Sequence, residues 1–268
     1  MKAVFKNEKI YKLVLLLKTN KKEVKVIMNV MRNTMAIVLV SLAILALSAY
    51  VVALSPSGAT VTPGTSSSAP EDAAGSDTNA LAGNVTEITL SGFTNTQSWQ
   101  GYFGNVTGTI QLADSSDNVL YNWSLASPEG EVYASNESSI NWTGIACFNM
   151  STHQAIESDW GIASDDVDGI NETFNLNNHP EYFTNNIQFT SGICNNTRLY
   201  NSSGVGHFYQ TLMTDGAYAT KLIYASILEE ADTDGFDGTF YDFEMIVLED
   251  GHGIDTSTTT YYFWVELE

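Results

Sequence analysis

The sequence predicts an all-β fold: an antiparallel β-sandwich of about eight to ten strands over residues 82–268, preceded by one N-terminal apolar helix and a disordered linker. Three observations carry this expectation. After Ala82, short aromatic and β-branched runs alternate with Gly, Pro, Asn and Asp clusters, the pattern of strands and tight turns. Met35 to Leu54 holds twenty residues without a charge, enough at about 1.5 Å per residue to match a hydrocarbon core of about 30 Å. Between the two, 21 of the 26 residues from Ser55 to Ala80 are Ser, Thr, Pro, Gly or Ala.

Charge divides the chain at the apolar stretch. Before Asn33 there are nine Lys or Arg and two acids, a balance of +7; after it, two basic residues (Arg198, Lys221) and 29 acids, a balance of −27. Basic residues flanking an apolar span stay on the cytoplasmic side, so residues 82–268 are expected outside the membrane as an extracellular domain. A domain this acidic is no partner for nucleic acid, whose binding rests on Lys and Arg contacts to phosphate. It is equally unsuited to docking on anionic lipid, and it favours high salt or abundant divalent cations, which screen self-repulsion.

Residues 1–27 read as a basic cytoplasmic extension, or as a product of start-site choice, because Met28 or Met31 opens a more complete unit. Residues 28–54 read as a transmembrane anchor or signal peptide. The apolar run exceeds the ~7–15 residues of a signal core, which favours a retained anchor. A pilin-type leader would keep the helix as a filament core, but Arg32-Asn33-Thr34-Met35 departs from the basic residue and Gly or Ala that such a leader places before the helix. Residues 55–81, with Val61 the single branched apolar side chain before Leu81, bury too little surface to offset ordering entropy and read as a flexible stalk.

Strands are expected at Val85–Leu90, Trp99–Ala113, Val119–Ala126 and Glu131–Ser135, with Asp114 to Asn118 a hairpin turn and Ser127-Pro128-Glu129-Gly130 a second turn. Thr152–Trp160 is expected as a short helix capped by Ser151. Four longer runs follow: His207–Met213, Tyr218–Leu228, Thr239–Leu248 and Thr258–Leu267, the last expected in the sheet interior, since an exposed apolar edge would aggregate.

The two cysteines, Cys147 and Cys194, both fall on the outer side of this topology, where a disulfide is the simplest pairing. The N-x-[ST] sequon occurs at Asn84, Asn105, Asn122, Asn136, Asn141, Asn149, Asn171, Asn195 and Asn201, nine of the 17 asparagines after Leu81. With Ser and Thr near a fifth of the region, chance gives roughly three or four, so the excess predicts dense N-glycosylation on exposed positions.

The run Trp99-Gln100-Gly101-Tyr102-Phe103-Gly104-Asn105-Val106-Thr107-Gly108, with Leu120-Tyr121-Asn122-Trp123 and Gly235-Phe236-Asp237-Gly238 through Phe243, resembles a group of secreted archaeal surface proteins. The resemblance covers most of residues 85–268. It implies an exported β-rich surface domain and brings no catalytic residue with it.

Other candidate chemistry is sparse. Trp99, Tyr102, Trp123 and Trp142 are the candidate aromatic platform for sugar, although aromatics at alternating strand positions more often form core or cross-strand pairs. Asp165-Asp166-x-Asp168 and Asp232-x-Asp234-x-x-Asp237 offer oxygen ligands for Ca²⁺, but neither fits the D-x-D-x-D-G loop, so no metal site and no cofactor is assigned. His153, His179, His207 and His252 are scattered, and there is no H-E-x-x-H or G-x-S-x-G motif, so no enzyme activity is expected. The sequence thus points to a membrane-anchored or secreted surface glycoprotein with a structural or adhesive role, meeting other surface proteins or glycans. A carbohydrate-binding module, a pilin-like filament subunit and a secreted hydrolase are the alternatives.

Overall fold

The computed structural model describes residues 55–69, 74–124, 129–216, 221–229, 233–249 and 258–267. The described residues all belong to one compact unit, Ala53–Glu268. The expected basic extension (1–27) and anchor or signal segment (28–54) lie outside them, and no helix among the described residues is long and apolar enough to cross a membrane.

This unit is mostly β and antiparallel throughout. Its centre is a seven-stranded sheet ordered β1 (Ser57–Gly58), β15 (Tyr262–Leu267), β5 (Gly130–Ser135), β11 (Ile223–Ile227) and β10 (Gly206–Thr214). Along the far edge of β10, β9 (Asn196–Tyr200) pairs with its first part and β6 (Ala146–Cys147) with its end. Among the described residues there are also four two-stranded ribbons: β2 (Trp99–Gly104) with β14 (Phe243–Leu248), β3 (Thr109–Ala113) with β4 (Val119–Ser124), β7 (Tyr182–Thr184) with β8 (Ile187–Phe189), and β12 (Thr233–Asp234) with β13 (Phe240–Tyr241). The second layer of the expected sandwich is therefore a ribbon joined by two short helices, α1 (His153–Asp159) and α2 (Ile170–Thr173), rather than a second broad sheet.

Both faces of the central sheet are covered, which follows from the period-two alternation of its middle strands. On one face Val132, Ala134, Leu212 and Tyr224 pack with Phe148, Ile156, Phe174, Met245, Val247 and Leu248. On the other, Tyr133, Met213, Ile223 and Ala225 pack with Tyr182, Phe189 and Cys194 beneath the β7–β8 ribbon. The first face fastens β14 by its backbone. The Gln210 amide donates to Ile246 O (2.6 Å) and accepts from Ile246 N (2.8 Å), Ser226 Oγ donates to Glu244 O (2.8 Å), and Leu248 N donates to Tyr224 Oη (3.2 Å). These polar side chains stand on the same face because Gln210 pairs with Ser226 and Leu212 with Tyr224 across β10 and β11.

Three expectations need correction. The Ser/Thr/Pro-rich stretch does not begin as a free stalk: Ser57 and Gly58 pair with Val265 and Trp264, and Ala59 N donates to Phe263 O at 3.0 Å. Ladder bonds use backbone groups only, so a Ser-Gly dipeptide suffices, and buried Pro56 stands just before the paired residues, where its missing N–H costs nothing. Conversely, Val85–Leu90 forms no strand, and its Val85, Ile88 and Leu90 side chains are exposed. The helix begins at His153 rather than under a Ser151 cap. Asn149 instead caps the preceding 3₁₀ turn (Met150–Thr152), its side chain accepting from Ser151 N.

Candidate functional site

The expected disulfide is present: Cys147 and Cys194 are bonded with Cα atoms 5.1 Å apart. It joins β6 to the residues entering β9, so it ties these two segments together where they meet along one edge of β10. Tyr182 packs beside it, its hydroxyl within 2.8 Å of Thr211 Oγ1.

The sequons divide by accessibility. Asn84, Asn105, Asn122, Asn136, Asn141, Asn149 and Asn171 are exposed, at turns, on the β4 strand and on α2. Asn201 is half-buried in the β9–β10 turn, its carbonyl oxygen accepting from Ser203 N and Val205 N. Asn195 is half-buried beside Cys194, and its Nδ2, the atom a glycan would modify, donates to Phe174 O at 3.1 Å.

The four platform aromatics do not share a surface. Trp99 packs on Phe174 and Tyr224 with its indole N–H donated to Asp168 O (2.6 Å), and Tyr102 sits edge-on to Phe263. Trp142 lies between Tyr133 and Trp264 against the opposite face of the sheet. Trp123 alone of the four is exposed, and its neighbour is Tyr121, with ring centroids 4.7 Å apart. Tyr121 was legible as a partner, because residues two apart on a strand share a face.

Among the acidic candidates, Asp166 accepts from Ala163 N, Asp168 from the Thr96 hydroxyl, and Asp234 from Ser202 Oγ. Asp237 is held below the usual carboxylate range by the Thr239 N–H it accepts and, less strongly, by the Tyr241 hydroxyl. Asp165 is exposed, and Asp232 lies outside the described residues. Among the described residues no three His, Cys, Asp or Glu side chains are placed to hold a metal.

Sequence reasoning missed a buried acidic network. Glu131 and Glu266 are register partners on β5 and β15, each nearly inaccessible. Tyr133 Oη lies 3.3 Å from Glu131 Oε2, 3.1 Å from Glu266 Oε2 and 3.0 Å from Thr184 Oγ1, while Asn185 N donates to the Glu266 carboxylate. Burial, then the two carboxylates, push the Tyr133 phenol well above its ordinary value. The pattern Glu131-x-Tyr133 on one strand against Trp264-x-Glu266 on its neighbour was the available signal. The network's side chains are nearly inaccessible, and Asn185 N ties the Asn185-Asn186 turn to it.

His179 is wholly buried: its Nε2 accepts from Cys194 N at 3.0 Å, and its Nδ1 lies 2.6 Å from Pro180 O. Those partners fit the neutral ring with its proton on Nδ1, and burial lowers its pKa below 6.5.

No known protein family, curated protein or solved structure matches this chain.

Proposed function

We propose that the chain is a cell-surface glycoprotein with a structural or adhesive role, its acidic β-domain held outside the membrane by the 35–54 segment or released by cleavage after it. The observation that supports this most is the placement of seven sequon asparagines at exposed positions around a disulfide-stapled domain. Glycans at those sites cover the surface without disturbing either core layer, and a cystine belongs to an oxidising compartment. No reaction and no cofactor is assigned. Glycopeptide mapping of the chain isolated from its own cells is the test. Glycans are expected at several of the seven exposed sites and not at Asn195; nine unmodified asparagines would remove the glycoprotein reading.

One observation favours a second reading, a carbohydrate-binding surface: the exposed Tyr121–Trp123 pair. It requires glycan-array binding that Trp123→Ala abolishes with folding intact, and an array without hits would end it.

A further inference from the structure

Among the described residues, the β3–β4 ribbon pairs with no strand of the central sheet, and each of its strands pairs only with the other. Register puts Ile110 opposite Trp123 and Leu112 opposite Tyr121, so these four side chains share one face. That face is uncovered, with Leu112 at 50%, Tyr121 at 58% and Trp123 at 49% exposure. A lone two-stranded ribbon is marginal in water and needs a further strand or a packing partner. Both of its outer edges also carry unpaired backbone donors and acceptors.

The same chain holds a strand without a sheet. Val85 to Leu90 has β-forming composition, forms no ladder, and exposes Val85, Ile88 and Leu90. Within one copy the two elements remain separately uncovered, although only about twenty residues separate them. What each lacks, the other offers: an edge with an apolar face, and an unpaired strand with apolar side chains to lay across it.

Charge tells which partner fits. From Val85 to Pro128 the chain has three charged residues, Glu87 in the strand and Asp114 and Asp117 in the ribbon's turn. The rest of an ectodomain carrying a −27 balance repels any second copy, and this band is where two copies approach at least electrostatic cost. We propose that the chain self-associates by strand addition, the Val85–Leu90 strand of one copy completing the β3–β4 ribbon of a second copy. Reciprocal exchange closes a two-fold dimer, and one-way addition propagates a row of copies. The proposal deepens the structural-role reading by naming its partner as the chain itself.

The test uses the full chain, one copy per nanodisc, or free in solution if the chain proves not to be anchored, followed by sedimentation in high-salt buffer. Wild type is expected to associate, more strongly as salt rises. A strand variant (Ile88→Asp with Leu90→Asp) and a ribbon variant (Leu112→Asp with Trp123→Asp) are each expected to lose association at least about tenfold, since each places two like charges in the contact. All four positions are exposed, so melting temperatures should stay within a few degrees of wild type, which separates lost contact from lost fold. Mixing the two variants is the decisive arm: a copy with an intact ribbon and a copy with an intact strand retain one complete contact, so the mixture associates where neither variant does alone. A monomeric wild type, folded variants that associate like wild type, or a silent mixture would each overturn the proposal. A failure of the envelope reading would show instead in membrane topology or glycan mapping, leaving sedimentation unchanged.

Discussion

Removing the cystine gives the best-defined energetic test of the fold. Cys147 and Cys194 are separated by 47 residues. In the chain-entropy treatment, opening a loop of that length returns about 14 cal/mol/K to the unfolded chain, or about 4 kcal/mol at 25 °C. The double variant Cys147→Ala with Cys194→Ala also loses sulfur packing at a wholly buried position, adding about 1 kcal/mol. Against a domain stability of about 5–15 kcal/mol, that is a third or more of the total. With a urea m-value of about 2–3 kcal/mol/M, the unfolding midpoint should fall by about 1.5–2.5 M, read by tryptophan fluorescence. Hydrogen exchange should localise the loss to the β10 edge, where Met213 pairs with Cys147 and Thr211 with Asn196. A midpoint shift under about 0.5 M, or exchange protection lost equally everywhere, would mean that β6 and β9 hold that edge without the staple.

Further perturbations separate the remaining claims. Gly130 has φ +121°, and a Cβ there would lie 2.1 Å from Glu266 O, so Gly130→Ala should cost at least about 2 kcal/mol in thermal unfolding. Trp142→Ala should cost about 3–5 kcal/mol because it empties the contact between Tyr133 and Trp264, whereas Trp123→Ala should stay within about 0.5 kcal/mol; equal losses would contradict their placement. His179 has a folded pKa lowered by burial, so the unfolded chain takes up a proton that the folded chain refuses. Its contribution is complete above pH 6.5 and is lost as pH falls from there toward the folded pKa. His179→Gln should flatten that part of the stability profile, and an unchanged slope would show that this ring is not its source. Tyr133→Phe leaves Glu131, Glu266 and Thr184 without the hydroxyl they share, at a cost of about 1–3 kcal/mol measured by urea unfolding.

Much of the fold could be read from local chemistry. The Asp114–Asn118 hairpin was legible because Asp114 is a turn-former: its carboxylate accepts from Ser116 N and Asn118 N, and Asp117 takes φ 59°. The apolar runs that became β10, β11, β14 and β15 were legible as β-branched and aromatic stretches, and β15 does lie inside the sheet, though beside a two-residue strand. What escaped was set by partners rather than by composition. β1 pairs through backbone groups that Ser and Gly share with every residue, so nothing in its side chains marked it. Val85–Leu90 has strand character, but local composition does not decide whether a strand finds a partner, and here it pairs with none of the described strands. The β7–β8 ribbon was overlooked although Asn185-Asn186 is a turn pair, with both residues at positive φ (47° and 67°). At the candidate sites, the sequon spacing was fully legible but its accessibility was not, since only packing reveals that Asn195 donates its amide to Phe174 O. The platform tryptophans were indistinguishable by type, and burial alone separated Trp123 from Trp99 and Trp142.

Membrane topology tests the surface role most directly. Fusing a reporter to the C-terminal end of the intact chain, and treating whole cells with a protease that cannot enter, reads which side of the membrane the domain occupies. The expected result is reporter activity and protease loss on the outside, with glycan-bearing peptides in the released fraction. A reporter active and protected in the cytosol would contradict the surface role, the glycans and the oxidised compartment together.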